Sequence, residues 1–123
     1  MDAFIYAADL FCEDCGERIR EQLTREGKAP ANPDDEHTYD SDYFPKGPFP
    51  DGGGEADTVC HCAGGKDCPN AIEFGDGFKA GCMLENDLTN YGVEWLKEQA
   101  REAPDNELVQ LWMKTYRQMG YDL

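Results

Sequence analysis

Six cysteines in 123 residues restrict the possible fold of this chain more than any other feature of its sequence. Two form a Cys-x-x-Cys pair in the stretch FCEDCGERI and four follow later in the chain: Cys12 and Cys15, then Cys60, Cys62, Cys68 and Cys82. The length corresponds to about one small domain, 1–123, with a core of modest size. Such a core gains from a structural metal ion, so these cysteines are the first candidates for a stabilising site.

The expected compartment favours metal binding over disulfide bonds. The N-terminal sequence MDAFIYAADLF is acidic and lacks the basic segment and the cleavage site of a secretory signal. No apolar run approaches the roughly 18 residues that a membrane span needs. We therefore expect a cytoplasmic protein with no membrane partner, in which thiols stay reduced and are available to a metal.

The formal charge of −15, from 26 acidic and 11 basic residues, restricts the partners of the chain. Such a surface repels nucleic acid and anionic membranes, and it attracts basic protein surfaces. Those surfaces include the ones that proteins use to hold nucleic acid. The alternative is that the acidity only keeps a small protein soluble.

Residue spacing predicts an α+β fold with a short antiparallel sheet, a zinc-knuckle cluster and about three helices. DAFIYAADL predicts one short strand, and AIEF and FKAGCML predict a hairpin across the glycine turn at 75–77. A first helix is expected to start near Gly16, with Gly27 as the residue just after its end. A C-terminal helical pair is expected over 89–120, with Thr89 or Asn90 as the first cap and Pro104 between the helices.

In the last helix, one stripe of side chains is expected to face the core: Leu108, Leu111, Trp112, Thr115 and Met119. Trp95, Trp112 and Tyr116 lie at helical spacings and are interpreted as core residues rather than a binding site.

Residues 28–57 form a long acidic segment whose prolines and glycines predict no regular structure. Four aromatic residues favour a loop pinned to the domain over a disordered linker: Tyr39, Tyr43, Phe44 and Phe49. Five of its carboxylates form what we call the acidic strip, the predicted contact with a basic partner: Asp34, Asp35, Glu36, Asp40 and Asp42.

A structural zinc ion needs four ligands in a tetrahedron. Cys12 and Cys15 supply two, and the glycine-rich turn between Cys62 and Cys68 can supply the other two. The alternative ligands are His61, Cys60 and Cys82. Because neighbours in a chain point apart, Cys60, His61 and Cys62 cannot all bind one ion. A redox Cys-x-x-Cys at a helix N-terminus, disulfides and free thiols are the competing interpretations.

Four stretches together resemble a group of short, zinc-ribbon-like Cys-x-x-Cys proteins from phage and bacterial genomes: DLFCEDCGERI, YDSDYFPKGPFPDGGGEAD, HCAGGKDC and LENDLTNYGVEWLKE. The group pattern is a Cys-x-x-Cys, a loop rich in proline and glycine, a His-Cys pair and a later cysteine. By that resemblance it corresponds here to Cys12 and Cys15, His61 and Cys62, and Cys68. The chain departs from the group at Asp87, where proline is usual, and in the additional Cys60 and Cys82.

No catalytic arrangement stands out, since His37 and His61 are the only histidines and no phosphate-binding or calcium-loop pattern occurs. We therefore expect a non-catalytic, zinc-stabilised acidic interaction protein. In a phage setting it would be an inhibitor in the host cytoplasm that binds a basic nucleic-acid-handling host protein. The alternative is a zinc-knuckle module associated with nucleic acid, or a small metal-dependent enzyme.

Overall fold

The computed structural model describes residues 1–123, apart from the side chain of Asp51. It has the predicted α+β fold, with three α-helices, a three-stranded antiparallel sheet and a two-stranded one. The elements in chain order are β1 (Ala3–Tyr6), β2 (Asp9–Cys12), α1 (Glu13–Arg25), β3 (Lys46–Phe49), β4 (Ile72–Glu73), β5 (Lys79–Ala80), α2 (Asn90–Glu102) and α3 (Glu107–Gln118). Among the described residues, none of the helices combines the length and the apolar character of a membrane span.

The N-terminal stretch is a hairpin, so the prediction of one strand there is wrong. β1 and β2 pair antiparallel, with Ala3 opposite Cys12. The chain reverses at Ala7 and Ala8, whose φ angles are 50° and 64°. Two successive positive φ values are typical of a tight two-residue hairpin turn, although glycine and asparagine are its usual residues. The turn returns the chain to the start of β1 and places the first cysteine in the buried part of the sheet.

Helix α1 begins directly after β2, earlier than the predicted start near Gly16. Cys12 is its N-cap, with a side chain that accepts a hydrogen bond from the Cys15 amide. The helix ends at Arg25, and Gly27, with a φ of 75°, lies just beyond its end as predicted. The next amide, that of Lys28, donates to the Leu23 carbonyl at 2.9 Å, which closes the helix as glycine-terminated helices commonly do.

The segment 28–57 contains a strand, β3, so the prediction of no regular structure there is wrong. β3 pairs with β1, and the strand order of the sheet is β2-β1-β3. β3 is therefore an edge strand, where a proline such as Pro48 is tolerated because one side of the strand needs no ladder hydrogen bonds.

The rest of this segment is held to the domain through Arg20. The Arg20 Nε donates to the Pro45 carbonyl at 2.9 Å, and its guanidinium lies over the rings of Phe4 and Phe44. The Tyr39 ring packs edge-on against Phe44, and its hydroxyl donates to a backbone carbonyl within the loop. The expectation of a pinned loop is confirmed for these two aromatic residues, whereas Tyr43 is 75% exposed.

The C-terminal half follows the prediction more closely. β4 and β5 form the predicted hairpin, and Thr89 caps α2 by accepting a hydrogen bond from the Gly92 amide at 3.1 Å. Asn106 caps α3 by accepting from the Leu108 and Val109 amides. The buried face of α3 differs from the predicted stripe, because Val109 and Tyr116 are buried while Met119 is 39% exposed.

Two groups of buried side chains make up the core. One surrounds the cysteines beside the N-terminal sheet and includes Ala3 and Leu84. The other lies under the C-terminal helices and includes Leu96 and Tyr116, against which Trp95 and Trp112 pack. This agrees with the interpretation of Trp95, Trp112 and Tyr116 as core residues. The segment around Met83 and Leu84 runs between the two groups and joins them.

Candidate metal centre

The structure brings together the four cysteines predicted as zinc ligands: Cys12, Cys15, Cys62 and Cys68. Their sulfur atoms all lie within 4.8 Å of one another. Cys12 ends β2 and Cys15 lies in the first turn of α1. Cys62 and Cys68 lie in the connection between β3 and β4. Among the described residues, this is the one group of His, Cys, Asp and Glu side chains that converges closely enough to hold a metal ion.

The separation of the sulfurs suits a tetrahedral ion. A regular tetrahedron with metal–sulfur bonds of about 2.3 Å has sulfur–sulfur edges of about 3.8 Å. The Cys12 and Cys68 sulfurs are 3.7 Å apart. All four cysteines are buried, with exposed fractions of 2 to 7%. The cluster can therefore surround an ion with sulfur and keep water away from it.

Backbone amides point at the sulfurs, as they do around bound thiolates. The Cys62 Sγ accepts from the Cys12 amide at 3.3 Å and from the Gly64 amide at 3.4 Å. The Cys12 Sγ accepts from the Cys15 amide at 3.5 Å. Cys12 also lies at the N-terminus of α1, where the helix dipole favours negative charge. These contacts stabilise thiolates rather than thiols.

The pKa values of the clustered cysteines are shifted in different directions. The pKa of Cys62 falls to about 4, because the neighbouring Cys82 thiol and the amides of Cys12 and Gly64 favour its thiolate more than burial opposes the charge. Burial is the largest effect on Cys12 and Cys15, and it raises the pKa of both. The surroundings therefore favour the thiolate at Cys62, whereas burial opposes the charged form at Cys12 and Cys15.

Gly64 permits the close approach of the loop to the cluster. A Cβ atom added at this position would lie 2.9 Å from the Cys15 sulfur and 3.5 Å from the Cys62 sulfur. Any larger residue would crowd the Cys15 sulfur, whereas its contact with the Cys62 sulfur would be ordinary. Gly64 therefore has a geometric role at the cluster.

His61, an alternative ligand, is turned away from the cluster. Its Nε2 accepts a hydrogen bond from the Trp112 indole at 2.8 Å, which makes its Nδ1 the donor to the Gly81 carbonyl at 2.6 Å. Both ring nitrogens are therefore engaged. The side chain connects the cysteine-bearing loop to α3 instead of contributing to the cluster.

The two additional cysteines occupy different places. Cys60 points away and its thiol donates to the Thr58 carbonyl at 3.7 Å. Cys82 is 5% exposed and packs in the same buried group as the four clustered cysteines. Cys82 therefore supports the cluster from outside the set of four.

The sequence interpretation missed a contact that Asn70 makes. Its amide nitrogen donates to the Asp14 carboxylate at 2.7 Å and lies 4.0 Å from the Cys12 sulfur. Asn70 follows Cys68 by two residues, and this proximity to a predicted ligand was the available signal. The contact fastens the turn after Cys68 to the first turn of α1.

The redox interpretation of the Cys-x-x-Cys pair fits the burial less well. The pair does lie at a helix N-terminus, but a disulfide-exchanging cysteine needs an exposed thiolate. Cys12 is 2% exposed and Cys15 is 7% exposed. All six cysteines are free thiols in the structure.

The acidic strip lies on the pinned loop and takes no part in the cysteine cluster. Asp34, Asp40 and Asp42 are exposed, and Asp35 and Glu36 are half-buried. Two strip carboxylates also order the backbone, because Asp35 accepts from the His37 amide and Asp40 from the Asp42 amide. Among the described side chains, the ion pairs are formed by other acids: Glu21, Glu26 and Glu94.

Comparison of the chain with protein-family models, with curated proteins and with solved structures gives no match.

Proposed function

We propose that this chain is a non-catalytic protein in which a zinc ion stabilises the fold and the acidic surface binds a basic protein partner. The observation that carries the proposal is the buried group of four cysteine sulfurs within 4.8 Å of one another. Four thiolates complete the coordination of zinc and leave no position for a water or a substrate. An ion in such a site contributes folding energy rather than catalysis.

Zinc is the ion that we propose for this site. Tetrahedral sites of four thiolates suit zinc or iron, and zinc requires no change of charge during its work. Zinc also fits a structural role, because it has no redox chemistry and accepts a tetrahedron without strain. The ligands in this proposal are Cys12, Cys15, Cys62 and Cys68.

The acidic strip supports the second half of the proposal. Its carboxylates lie on a loop that Arg20 and Tyr39 hold against the domain, so the strip loses little conformational freedom when a partner binds. Its acids take no part in the ion pairs of the described side chains. Unpaired surface charge of this kind mainly raises the rate of association with a surface of opposite charge.

The partner class in this proposal is a basic protein surface that otherwise holds nucleic acid. A row of carboxylates resembles a row of phosphates in charge, and it would occupy the same channel and block it. In the phage setting that the sequence resemblance implies, the partner would be a host protein and this chain its inhibitor.

The proposal is tested with two variants of equal net charge. In one, the acidic strip is neutralised by changing its Asp to Asn and its Glu to Gln. In the other, five exposed acids elsewhere are changed to Gln: Glu17, Glu21, Glu55, Glu98 and Glu102. The probe is a labelled oligoarginine peptide, and its association rate is measured at low salt and at physiological salt.

We expect the strip variant to associate more slowly than the control variant, with the difference shrinking as salt shortens the Debye length to about 8 Å. Equal rates for the two variants would remove the strip from the proposal. Tight binding of the unmodified chain to duplex DNA or to RNA in a gel-shift assay at physiological salt would overturn the partner class.

A further inference from the structure

A groove on the opposite half of the chain from the acidic strip combines exposed aromatic surface with carboxylates. It lies between the β4–β5 hairpin and the start of α3, with a volume of about 540 Å³. This is within the range of roughly 300 to 1,000 Å³ that is usual for ligand sites. Its apolar surface comes from Phe74, Phe78 and Leu108. We call it the aromatic groove.

The two phenylalanine rings are stacked, and the exposed ring of Phe78 provides an aromatic platform. Their ring centroids are 6.1 Å apart and their planes differ by 22°. Phe78 is 53% exposed, which makes it one of the few large apolar side chains on the surface. The hairpin holds the pair in place, because the Phe74 amide donates to the Phe78 carbonyl at 2.9 Å. A rigid and exposed aromatic platform is the kind of surface on which a planar cation stacks.

Three carboxylates surround the platform: Asp76, Asp105 and Glu107. Two of them are positioned by backbone amides. Glu107 Oε2 accepts from the Gly75 amide at 3.2 Å, and Asp76 Oδ1 accepts from the Phe78 amide at 3.0 Å. Each therefore keeps its second oxygen for a ligand. No lysine or arginine is among the described residues that line the groove.

The arrangement selects against other ligands. An anion would meet three carboxylates, and the Asn106 side chain already satisfies the Leu108 and Val109 amides at the start of α3. An uncharged apolar ligand would desolvate the carboxylates without compensation. The three carboxylates do not converge on a point as metal ligands do, since within the described part of the chain only the cysteine group converges in that way.

We infer that the aromatic groove binds an arginine side chain from a basic segment of a partner protein. A guanidinium is planar, stacks on aromatic rings and donates in a fork that matches a carboxylate. It would lie over Phe78 and donate to the free oxygens of Asp76 and Glu107. The inference rests on the proposed function, since it gives the acidic surface a specific contact for its basic partner.

The test uses the folded, metal-bound protein and the dipeptide acetyl-Arg-Arg-amide as the probe, followed by the backbone amide resonances in NMR. We expect the largest shifts at Gly75, Asp76 and Phe78. Phe78→Ala should weaken the affinity for the dipeptide by about two- to five-fold. Phe78→Trp should restore binding. Tyr91→Ala is the matched control, because Tyr91 is an exposed aromatic residue on α2 and is 82% exposed.

The outcomes separate this inference from the proposed function. Shifts confined to the acidic strip, with unchanged affinity in Phe78→Ala, would overturn the groove and leave the proposed function standing. An absence of binding by both the dipeptide and oligoarginine would overturn both. Equal affinity for acetyl-Lys-Lys-amide would overturn the selection of arginine, because an ammonium cannot stack as a guanidinium does.

Discussion

Replacing Cys15 and Cys82 separately by alanine gives the sharpest test of which sulfurs hold the metal. The two thiols are almost equally buried, at 7% and 5% exposure, so the same substitution removes the same atom from comparable surroundings. Loss of a buried sulfur alone is expected to destabilise each variant by about 1 to 2 kcal/mol. Any larger difference in stability between the two variants measures the contribution of the metal ion.

The expected difference follows from the length of chain that the metal closes. Cys15 and Cys62 are separated by 46 residues. The chain-entropy relation for a cross-link across a loop of that length gives about 4 kcal/mol at 25 °C. The free energy of unfolding of Cys15→Ala should therefore be lower by about 5 to 6 kcal/mol once its metal is removed. This loss is comparable with the whole stability of a small domain.

The assay is urea unfolding of both variants in the presence of a chelator that outcompetes three thiolates but not four. We expect Cys82→Ala to keep its metal and unfold cooperatively, and Cys15→Ala to lose the metal and most of its fold. Equal loss of metal and stability in both variants would refute the assignment of Cys82 to a place outside the ligand set.

Further predictions concern single residues. Gly64→Ala should weaken metal binding, because the added carbon would meet the Cys15 sulfur. Gly75→Ala is the control, since its added carbon would make only ordinary contacts and should leave the metal affinity unchanged. Competition with a chelator measures both affinities. Tyr116→Phe should lower the free energy of unfolding by about 1 to 2 kcal/mol, because the fully buried hydroxyl donates to the Asn86 carbonyl at 2.8 Å. Burial raises the pKa of Tyr116 above its ordinary value of 10, so the neutral form stabilises the fold below about pH 10 and this contribution is lost as the pH rises further. The free energy of unfolding of the unmodified chain should therefore fall more steeply above pH 10 than that of Tyr116→Phe, which has no phenol to ionise at this site. Equal slopes against pH would show that Tyr116 does not cause the fall.

The helices and the second hairpin could be predicted because their signals are local. Thr89 and Pro104 bound α2 by their own chemistry, and Gly27 ends α1 because it adopts a positive φ without strain. The four clustered cysteines could also be predicted from their spacing, since the turn between Cys62 and Cys68 has few ways to present both sulfurs.

The N-terminal hairpin and β3 could not be predicted because tertiary contacts decide them. Ala7 and Ala8 carry no turn signal, and their positive φ angles are compensated by the pairing of β1 with β2. Pro48 argues against a strand in general and is tolerated only because β3 lies at an edge. The early start of α1 follows from Cys12 acting as a cap, which is a role that its sulfur acquires within the cluster.

The aromatic groove was also beyond sequence analysis. Phe74 and Phe78 belong to the hairpin, whereas Asp105 and Glu107 precede and begin α3. Their meeting depends on how the hairpin packs against the C-terminal helices, and the Gly75–Glu107 hydrogen bond is visible only in three dimensions.

The most direct test of the central claim is the metal content of the purified chain, measured by native mass spectrometry and elemental analysis without added metal. We expect one zinc ion per chain, with loss of helical circular dichroism when a strong chelator removes it. A chain that keeps its full fold with no bound metal would contradict the structural role of the cluster, and a bound iron in place of zinc would contradict the identity of the ion.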